Sequence, residues 1–422
     1  MLYIQSLITR NEKYISKPGL SGRRISVSTR NTLQQDSNAT TITQDSMEGK
    51  KRQRANPSGS GRLIALDAVR GLAVIGMFLQ HFALNERNAF VSGNTTLLFI
   101  LCGGISYSIM AGRMLGKGTD IKVFRTRMLA RSVFIDIIGY LLIMLNAPFG
   151  VILPAYAGLF ILALLLVRRS TRTLVLTTAV LILIAPPLML LGGSLLSGTY
   201  LLRDIAGGPM SALGLAPAFV AGMAIGRLNL QHARTAFLLV VSGGFIIAIS
   251  KLLATFILPG LSQSFEAWIV SVQGTVVNQP DPYAIWPHNV DSPMWHMLLW
   301  TAPHSASTFQ TLMGLGIAFL VLGIVCLIPN KLSAVLKPFA AVGRVALTMY
   351  TLQFIVFWIL ELAGIELGLG SMPLGDLLVA VITVAISWII ALRRTGPLEA
   401  FMRRFDQAFT PAADTNSGSS KL

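Results

Sequence analysis

Three ionisable residues lie within the first long apolar segment of this 422-residue chain. They are Asp67, Arg70 and His81, in the sequence LDAVRGLAVIGMFLQHF. A spacing of three brings Asp67 and Arg70 to one helix face, where their charges can pair. The eleven positions from Arg70 to His81 make about three turns, so His81 returns to nearly the same face about 16 Å further along. The spacing therefore predicts that Arg70 and His81 face one cavity at different depths.

These residue types suit a ligand that has an anionic end and a reactive end. Arg binds phosphate in a bidentate manner, and His exchanges a proton near neutral pH. Acyl-coenzyme A has this layout, with its phosphates placed near Arg70 and its thioester toward His81. The alternative is structural: an Asp67–Arg70 ion pair at the membrane boundary and an interfacial histidine at position 81. The spacing alone leaves both interpretations open.

The elements that position these residues are expected to lie in lipid. Hydrophobic residues make up 53% of the chain and charged residues only 12%, which is too apolar for a soluble domain. A bilayer-crossing helix needs about 20 mostly apolar residues. Runs of that kind begin near Leu63, Thr95, Met128, Val151, Leu174, Ser211, Ala236, Thr308, Val342 and Pro373. The sequence therefore predicts an all-α, polytopic transmembrane helical bundle of about ten spans, the fifth ending at the Pro186-Pro187 pair.

Lysine and arginine are concentrated in alternate connections between these runs. They recur at residues 52–62, 113–127, 168–172, 227–234, 331–337 and 393–404, whereas the other connections hold only Arg87 and Arg203. Basic residues are retained on the cytoplasmic side during insertion. The pattern predicts a multi-pass protein of the plasma (inner) membrane with both its N- and C-termini in the cytoplasm.

Three regions follow from this reading. Residues 1–61 are polar and are predicted to form a disordered basic cytoplasmic tail. Residues 62–394 form the transmembrane domain, with an extracytoplasmic loop at about 258–304, and residues 395–422 form a cytoplasmic C-terminal tail that should lie along the inner leaflet. The net charge of +16 does not indicate a nucleic-acid partner, because the basic residues lie between apolar runs and in the tail.

The first segment resembles the opening of a superfamily of polytopic membrane acyltransferases. Arg70, ten residues and then His81 match the Arg-x10-His motif of the bacterial O-acyltransferases and the heparan-alpha-glucosaminide N-acetyltransferase-like proteins. The surrounding LDAVRGLA is similar to the opening of the YeiB-like branch. Two later stretches resemble the same branch: GRVALTMYTLQ at 343–353 and GPLEAFMRR at 396–404. Met349 and Phe354 replace an Asn and a Ser of that branch, so polar roles at these positions are not carried over.

The resemblance implies an enzyme that moves an acetyl group from cytosolic acetyl-CoA to a hydroxyl of an envelope sugar or glycolipid, for example a trehalose mycolate. It implies that His81 is a base or a transient acyl carrier, with Arg70 and Asp67 as the other catalytic residues. Acetyl-CoA is the expected acyl donor, and no metal is expected.

Other polar residues are candidates for the same sites. Arg344, Tyr350 and Gln353 on the ninth run are expected to bind the donor with Arg70, and Arg131 and Asp136 on the third run to face the same cavity. Arg344 could equally anchor the helix at the membrane boundary. The candidates for binding the acceptor are His304, Trp286, Trp295 and His296. An interfacial aromatic belt is the alternative for the tryptophan-rich stretch, and a zinc site of His288, Asp291 and His296 lacks distinctive spacing.

Two other functional classes fit the same residues. A lipid or solute transporter or flippase could use the buried Arg, Asp and His as a substrate or proton path. A non-catalytic subunit of an envelope assembly is the third class. The expected partners are membrane lipid, the envelope sugar or glycolipid acceptor, and a second copy of the chain or an envelope-assembly protein. An enzyme would release free thiol, whereas a transporter would leave its substrate unmodified.

Overall fold

The computed structural model describes residues 58–196, 199–273, 294–393 and 395–409. The predicted N-terminal tail up to residue 57, and Trp286, His288 and Asp291, lie outside the described residues. Within the described ranges the regular structure is helical, without a strand. The α-helices are α1 (Ser58–Phe82), α2 (Asn94–Leu115), α3 (Ile121–Ile143), α4 (Leu153–Leu166), α5 (Thr171–Leu195), α6 (Tyr200–Ala206), α7 (Ala212–Ile225), α8 (Ala233–Leu252), α9 (Leu258–Gln273), α10 (Thr308–Leu327), α11 (Lys337–Arg344), α12 (Ala346–Leu362), α13 (Gly375–Ala391) and α14 (Pro397–Ala408).

Five helical stretches of the described chain are long and apolar enough to cross a bilayer. They are Ile64–Phe82, Ala89–Leu115, Thr171–Leu195, Ala233–Ser271 and Thr308–Leu327. A sixth is the pair formed by Lys331–Arg344 and Ala346–Leu362, which bends by 65° at its break. The membrane-embedded helical bundle is therefore confirmed at the level of fold class, and the count of ten crossings stays a prediction.

Three further apolar helices, α4, α7 and α13, are shorter than a bilayer-crossing helix usually is. Helix α7 packs against α2, α4 and α5, and almost every one of its side chains is buried. Because protein surrounds both ends of α7, the polar backbone groups at these ends do not meet lipid. A helix placed in this way does not have to be long enough to cross the bilayer.

Close helix crossings are built on glycines. A Cβ on Gly71 of α1 would overlap the carbonyl oxygen of Phe339, and one on Gly343 of α11 would overlap the carbonyl oxygen of Asp67. Helices α2 and α7 meet in the same way at Gly104 and Gly222. Backbone therefore contacts backbone at both crossings, the close approach that small residues allow between membrane helices.

The prediction that α5 ends at the Pro186-Pro187 pair is wrong, because the helix continues to Leu195. Pro186 has no N–H to donate to the carbonyl oxygen of Ile182, four residues earlier. The hydroxyl of Thr308, at the start of α10, donates to that oxygen instead, at 2.8 Å. A neighbouring helix thus satisfies the freed carbonyl and allows the helix to continue through the prolines.

The segment predicted as a loop from residue 258 begins as a helix. A π turn, Leu253–Ile257, joins α8 to α9, and the resulting rod covers Ala233–Ser271, 39 residues. At 1.5 Å per residue the rod is about 58 Å long, roughly twice the thickness of the hydrocarbon core. Helix α9 therefore extends beyond the core.

Basic connections that are distant in sequence lie at one end of the bundle. The guanidinium of Arg227, after α7, donates to the carbonyl oxygens of Val167 and Arg169. Burial lowers the pKa of this guanidinium. Arg127 and Arg131 of α3 pair with Asp406 of α14. The predicted alternation of basic connections therefore corresponds to a real grouping in space.

Candidate active site

The end of the bundle with these basic side chains contains a cavity of about 540 Å³. Its walls come from α1, α2, α3, α4, α12 and α14 and from the break between α11 and α12. The charged residues of this basic cavity are the six arginines Arg70, Arg113, Arg127, Arg131, Arg344 and Arg403 and the two carboxylates Asp67 and Glu399. Positive charge therefore exceeds negative charge, and the cavity suits an anionic ligand.

Helix α1 places Asp67 and Arg70 in the wall of the basic cavity, as their spacing predicted. Arg70 Nη1 lies 3.2 Å from Asp67 Oδ1 and 3.3 Å from the carbonyl oxygen of Gly343, and Arg70 Nη2 donates to Ser106 Oγ at 2.5 Å. Ser106 in turn donates to the carbonyl oxygen of Cys102. These contacts fix the guanidinium while about a fifth of its side chain, 21%, stays exposed.

The C-terminal helix α14 closes one side of the basic cavity. Asp406, which is fully buried, accepts from Arg127 Nη2 at 3.3 Å and Arg131 Nη2 at 2.5 Å. Met402 and Arg403, one turn earlier, line the cavity. We expected this segment only to lie along the membrane, but it also forms part of the cavity wall.

A second cavity, of about 460 Å³, lies at the other end of α1. Its wall includes His81, Phe82, Phe357 and the segment from Leu360 to Gly368, which contributes Glu361 and Glu366. This histidine cavity has two carboxylates and no lysine or arginine among its lining residues. Its charge is thus opposite to that of the basic cavity, and it suits an uncharged or cationic group.

The imidazole of His81 is held by aromatic contacts. Its ring stacks on Phe149 with centroids 3.8 Å apart and meets the edge of Phe354 at 6.5 Å. The fully buried amide of Gln353 is its neighbour. Neither Nδ1 of His81 nor the two amide atoms of Gln353 complete a hydrogen bond of ordinary geometry. Buried polar atoms normally have a hydrogen-bond partner, so water or a ligand in the histidine cavity would satisfy these atoms.

His304 lies close to His81 at this end of the bundle. The Nε2 amide nitrogen of Gln80, the residue before His81, donates to Nε2 of His304 at 2.8 Å. The accepting nitrogen carries no proton, so the neutral ring has its proton on Nδ1. Burial lowers the pKa of His304 below its usual value, which favours this neutral form.

Three aromatic rings separate the two cavities. Phe149, Tyr350 and Phe354 form this aromatic partition, with centroids 4.7 Å apart for Phe149–Phe354 and 5.1 Å apart for Tyr350–Phe354. Tyr350 also lines the basic cavity. The cavities share no lining residue. The prediction that Arg70 and His81 face one cavity is therefore wrong, because bulky side chains fill the space between them.

The structure divides the other predicted site residues into three groups. Arg344, Tyr350 and Arg131 line the basic cavity with Arg70. Gln353 does not line it and lies beside His81 instead. Asp136 lies apart from the cavity, near Asp204 of α6, whose carboxylate accepts from Tyr140 at 2.5 Å.

Two predicted acceptor-binding residues take up other contacts. Trp295 packs on the small apolar cluster of Met189, Leu190 and Met297, and the ring of His296 meets Trp300 at 5.1 Å. Neither residue lines either cavity. The short turn Trp295–Leu299 thus packs against the bundle.

Several lining residues were not predicted from the sequence. Arg113, Arg127 and Arg403 were assigned only to basic connections, and Glu399 only to a resembling motif. A signal was present for Glu399, since a carboxylate two residues after a proline at the predicted membrane boundary is unusual. Among the described residues, no group of three or more His, Cys, Asp or Glu is arranged to bind a metal ion.

Comparison with known proteins gives one match. A family model described as a protein of unknown function (DUF418) matches residues 264–408. The matched segment contains the 343–353 and 396–404 stretches but not the segment of Asp67, Arg70 and His81. No curated protein and no solved structure matches the chain. The chain is therefore similar over its C-terminal part to a membrane-associated family whose activity is not described.

Proposed function

We propose that this protein is a membrane acyltransferase that moves an acetyl group from acetyl-CoA to a hydroxyl of an envelope sugar or glycolipid. The observation that carries the proposal is the pair of cavities at the two ends of α1, one rich in arginine and one containing His81. The resemblance of the Arg70–His81 segment to polytopic acyltransferases supports it.

The basic cavity fits the donor. Coenzyme A carries several phosphate charges, and guanidinium groups recognise phosphate in bidentate geometry. Arg70 is already oriented by Asp67 and Ser106, so little of its conformational freedom would be lost on binding. Arg344 and Tyr350 line the same space and complete the proposed donor site.

The histidine cavity fits an uncharged acceptor. Phe82 and Phe357 offer apolar faces of the kind that sugar rings stack on, while Glu361 and Glu366 disfavour an anionic headgroup. His81 lies in the wall of this cavity, and His304 lies close to His81. A neutral sugar or glycolipid hydroxyl, such as that of a trehalose mycolate, matches these properties.

The proposed chemistry takes place at His81. As a base, the imidazole removes the hydroxyl proton while the acceptor oxygen attacks the thioester carbonyl carbon. The carbon–sulfur bond breaks, and the coenzyme A thiolate takes up a proton to leave as free thiol. As a carrier, the imidazole nitrogen first attacks the carbonyl carbon, and the carbon–sulfur bond breaks to release the coenzyme A thiolate. The acceptor hydroxyl then attacks the acetyl carbon, loses its proton, and the nitrogen–carbon bond breaks to return the free imidazole. A burst of free thiol without acceptor, equal in amount to the protein, distinguishes these routes, since only the carrier releases thiol before the acceptor reacts.

The aromatic partition sets a condition on this mechanism. Arg70 and His81 are about 16 Å apart along α1, and Phe354 is fully buried between the cavities. The pantetheine arm must therefore pass between Phe149, Tyr350 and Phe354, which requires rotation of at least one ring. The closed partition would separate the two cavities when no donor is bound, and the rings around the arm would limit the access of water to the thioester once the donor is in place.

We also propose ten crossings of the plasma (inner) membrane with both termini in the cytoplasm. Helix α3 has an exposed apolar stripe of Leu129, Val133, Ile137 and Leu141, spaced as a lipid-facing helix surface should be. Helices α4, α7 and α13 are apolar and pack against other helices of the bundle. An even number of crossings returns the chain to the side that it started from.

The proposal is tested by following the acetyl group in proteoliposomes. Acetyl-CoA labelled in the acetyl group is added on one side, and a neutral glycolipid acceptor is present in the bilayer. We expect label in the glycolipid and unlabelled free thiol on the donor side. Label that crosses the bilayer without entering any acceptor would contradict the proposal that the protein is an enzyme.

A transporter or flippase is the second candidate, favoured by one observation. Two cavities at opposite ends of a bundle, separated by a thin layer of rings, also fit a binding protein that opens alternately to each side. The same proteoliposomes decide between the two, because a transporter moves its substrate unmodified and releases no thiol.

A further inference from the structure

The start of α12 is a helix N-terminus that borders the basic cavity. Helix α11 ends at Arg344, and Val345 leaves the helical conformation with φ −114° and ψ 28°. Ala346, Leu347 and Tyr350 of α12 line the cavity. The first N–H groups of any helix have no acceptor within that helix, so they need one from elsewhere.

Glu399, the third residue of α14, supplies those acceptors. Its Oε1 accepts from the backbone N–H of Leu347 at 2.7 Å and of Thr348 at 3.0 Å, and its Oε2 accepts from the hydroxyl of Thr348 at 2.6 Å. A residue 51 positions later in the chain thus caps α12. A carboxylate is also the favoured charge at a helix N-terminus.

Gly396 makes this contact possible. A Cβ at position 396 would overlap Glu399 Oε2 and lie 2.6 Å from the hydroxyl oxygen of Thr348. Pro397 then begins α14, a position where its missing N–H costs nothing. The two C-terminal stretches that resemble acyltransferases therefore form one structural unit, in which GPLE of the second caps the helix of the first.

Helix α12 carries the groups that lie between the two cavities. Tyr350 is one turn after the cap, and its phenol oxygen accepts from the backbone N–H of Ile152 at 2.9 Å. Gln353 and Phe354 follow on the next turn, beside His81. A change in the direction of α12 would therefore move the partition and the surroundings of His81 together.

We propose that Glu399 is a positioning residue that fixes the orientation of α12, and through it the aromatic partition and the contacts of His81. The inference deepens the proposed function, and its first readout, the turnover rate, rests on that function. Its second readout, the rate at which a reagent modifies His81, does not. The inference and the proposed function can therefore fail separately.

The test compares Glu399→Ala with Glu399→Gln. The glutamine oxygen can still accept from Leu347 and Thr348, whereas alanine leaves both donors without a partner. In Glu399→Ala we expect turnover to fall roughly tenfold or more, as small displacements of catalytic groups do. Glu399→Gln should keep most of the turnover.

The second readout is the rate at which diethylpyrocarbonate modifies His81, followed by mass spectrometry. In Glu399→Ala we expect His81 to react several-fold faster, because Gln353 and Phe354 no longer cover it as closely. Exposed His232 should react at the wild-type rate in every variant. Glu266→Ala, an exposed glutamate on α9, serves as the matched control and should change neither readout.

Two results would overturn the inference. One is an unchanged rate of His81 modification in Glu399→Ala, with turnover lowered only in proportion to the folded fraction. The other is equal loss of turnover in Glu399→Ala and Glu399→Gln, which would assign the effect to charge rather than to position. If wild type transfers no acetyl group, the proposed function fails while the modification rates still test Glu399.

Discussion

At the scale of single residues, the two ends of α1 carry opposite chemistry. Arg70 is oriented by Asp67 and Ser106 in a cavity rich in arginine, whereas the charged residues that line the cavity of His81 are two glutamates. Guanidinium groups suit an anionic ligand, and an imidazole suits proton transfer. This contrast supports the different roles that the residue types predict for Arg70 and His81.

His304 predicts a pH dependence of stability. Burial lowers its pKa in the folded protein, so as pH falls the unfolded chain binds this proton first. The contribution of His304 to the free energy of unfolding is therefore fully present above about pH 6.5. It is lost as the pH falls through the lowered pKa of the folded protein. The neutral ring also accepts the hydrogen bond from Gln80.

We expect His304→Asn to reduce the loss of thermal stability between pH 7 and about pH 5, measured by the melting temperature of the detergent-solubilised protein. Asparagine tolerates the positive φ of 61° at this position. His232→Asn is the control and should melt with the wild-type pH profile. Equal acid sensitivity of His304→Asn and wild type would contradict this account of His304.

At the scale of elements, contacts between helices decide features that each helix alone does not predict. The positions of the helices follow from the apolar runs, and the structure has helix at each predicted run, but the run from Val342 is divided between α11 and α12. The end of α5 was predicted wrongly, because Thr308 lies 126 residues from the carbonyl that it satisfies. The cap of α12 by Glu399 was missed for the same reason.

The α5–α10 contact gives a prediction for paired substitutions. Thr308→Val removes the donor to Ile182 and should destabilise the protein by about 1 kcal/mol. In a Pro186→Ala background the alanine N–H can bond to that carbonyl, so Thr308→Val should then cost much less. Thermal unfolding of the four proteins in the same detergent measures the difference. Equal cost in both backgrounds would show that the hydroxyl does not replace the proline's missing donor.

At the scale of the whole molecule, the basic connections gather at one end and His81 and His304 at the other. Alternating lysine and arginine predicted this grouping, since insertion acts on local charge. The aromatic partition was not predictable, because periodicity gives the face of a side chain and not the packing of rings from α12 and the 144–152 connection. The placement of Gln353 beside His81 was missed for that reason.

The proposed orientation is tested by labelling single cysteines in intact cells. In a background without Cys102 and Cys326, we place cysteine at exposed Glu86, near the histidine cavity, and at exposed Lys117, near the basic cavity. A membrane-impermeant thiol reagent should label Glu86→Cys from outside and Lys117→Cys only after permeabilisation. The reverse pattern would contradict cytoplasmic access to the basic cavity and with it the use of cytosolic acetyl-CoA.

The central claim is acetyl transfer that depends on both ends of α1. The most direct measurement is acceptor-dependent release of free thiol from acetyl-CoA by the purified protein, comparing wild type with His81→Ala and Arg70→Ala. His232→Ala and Arg172→Ala are exposed controls that should keep wild-type rates. We predict that His81→Ala lowers turnover by about a hundredfold or more, and that Arg70→Ala mainly raises the KM for acetyl-CoA. Thiol release by His81→Ala at the wild-type rate, or none by folded wild type with a neutral glycolipid, would contradict the account.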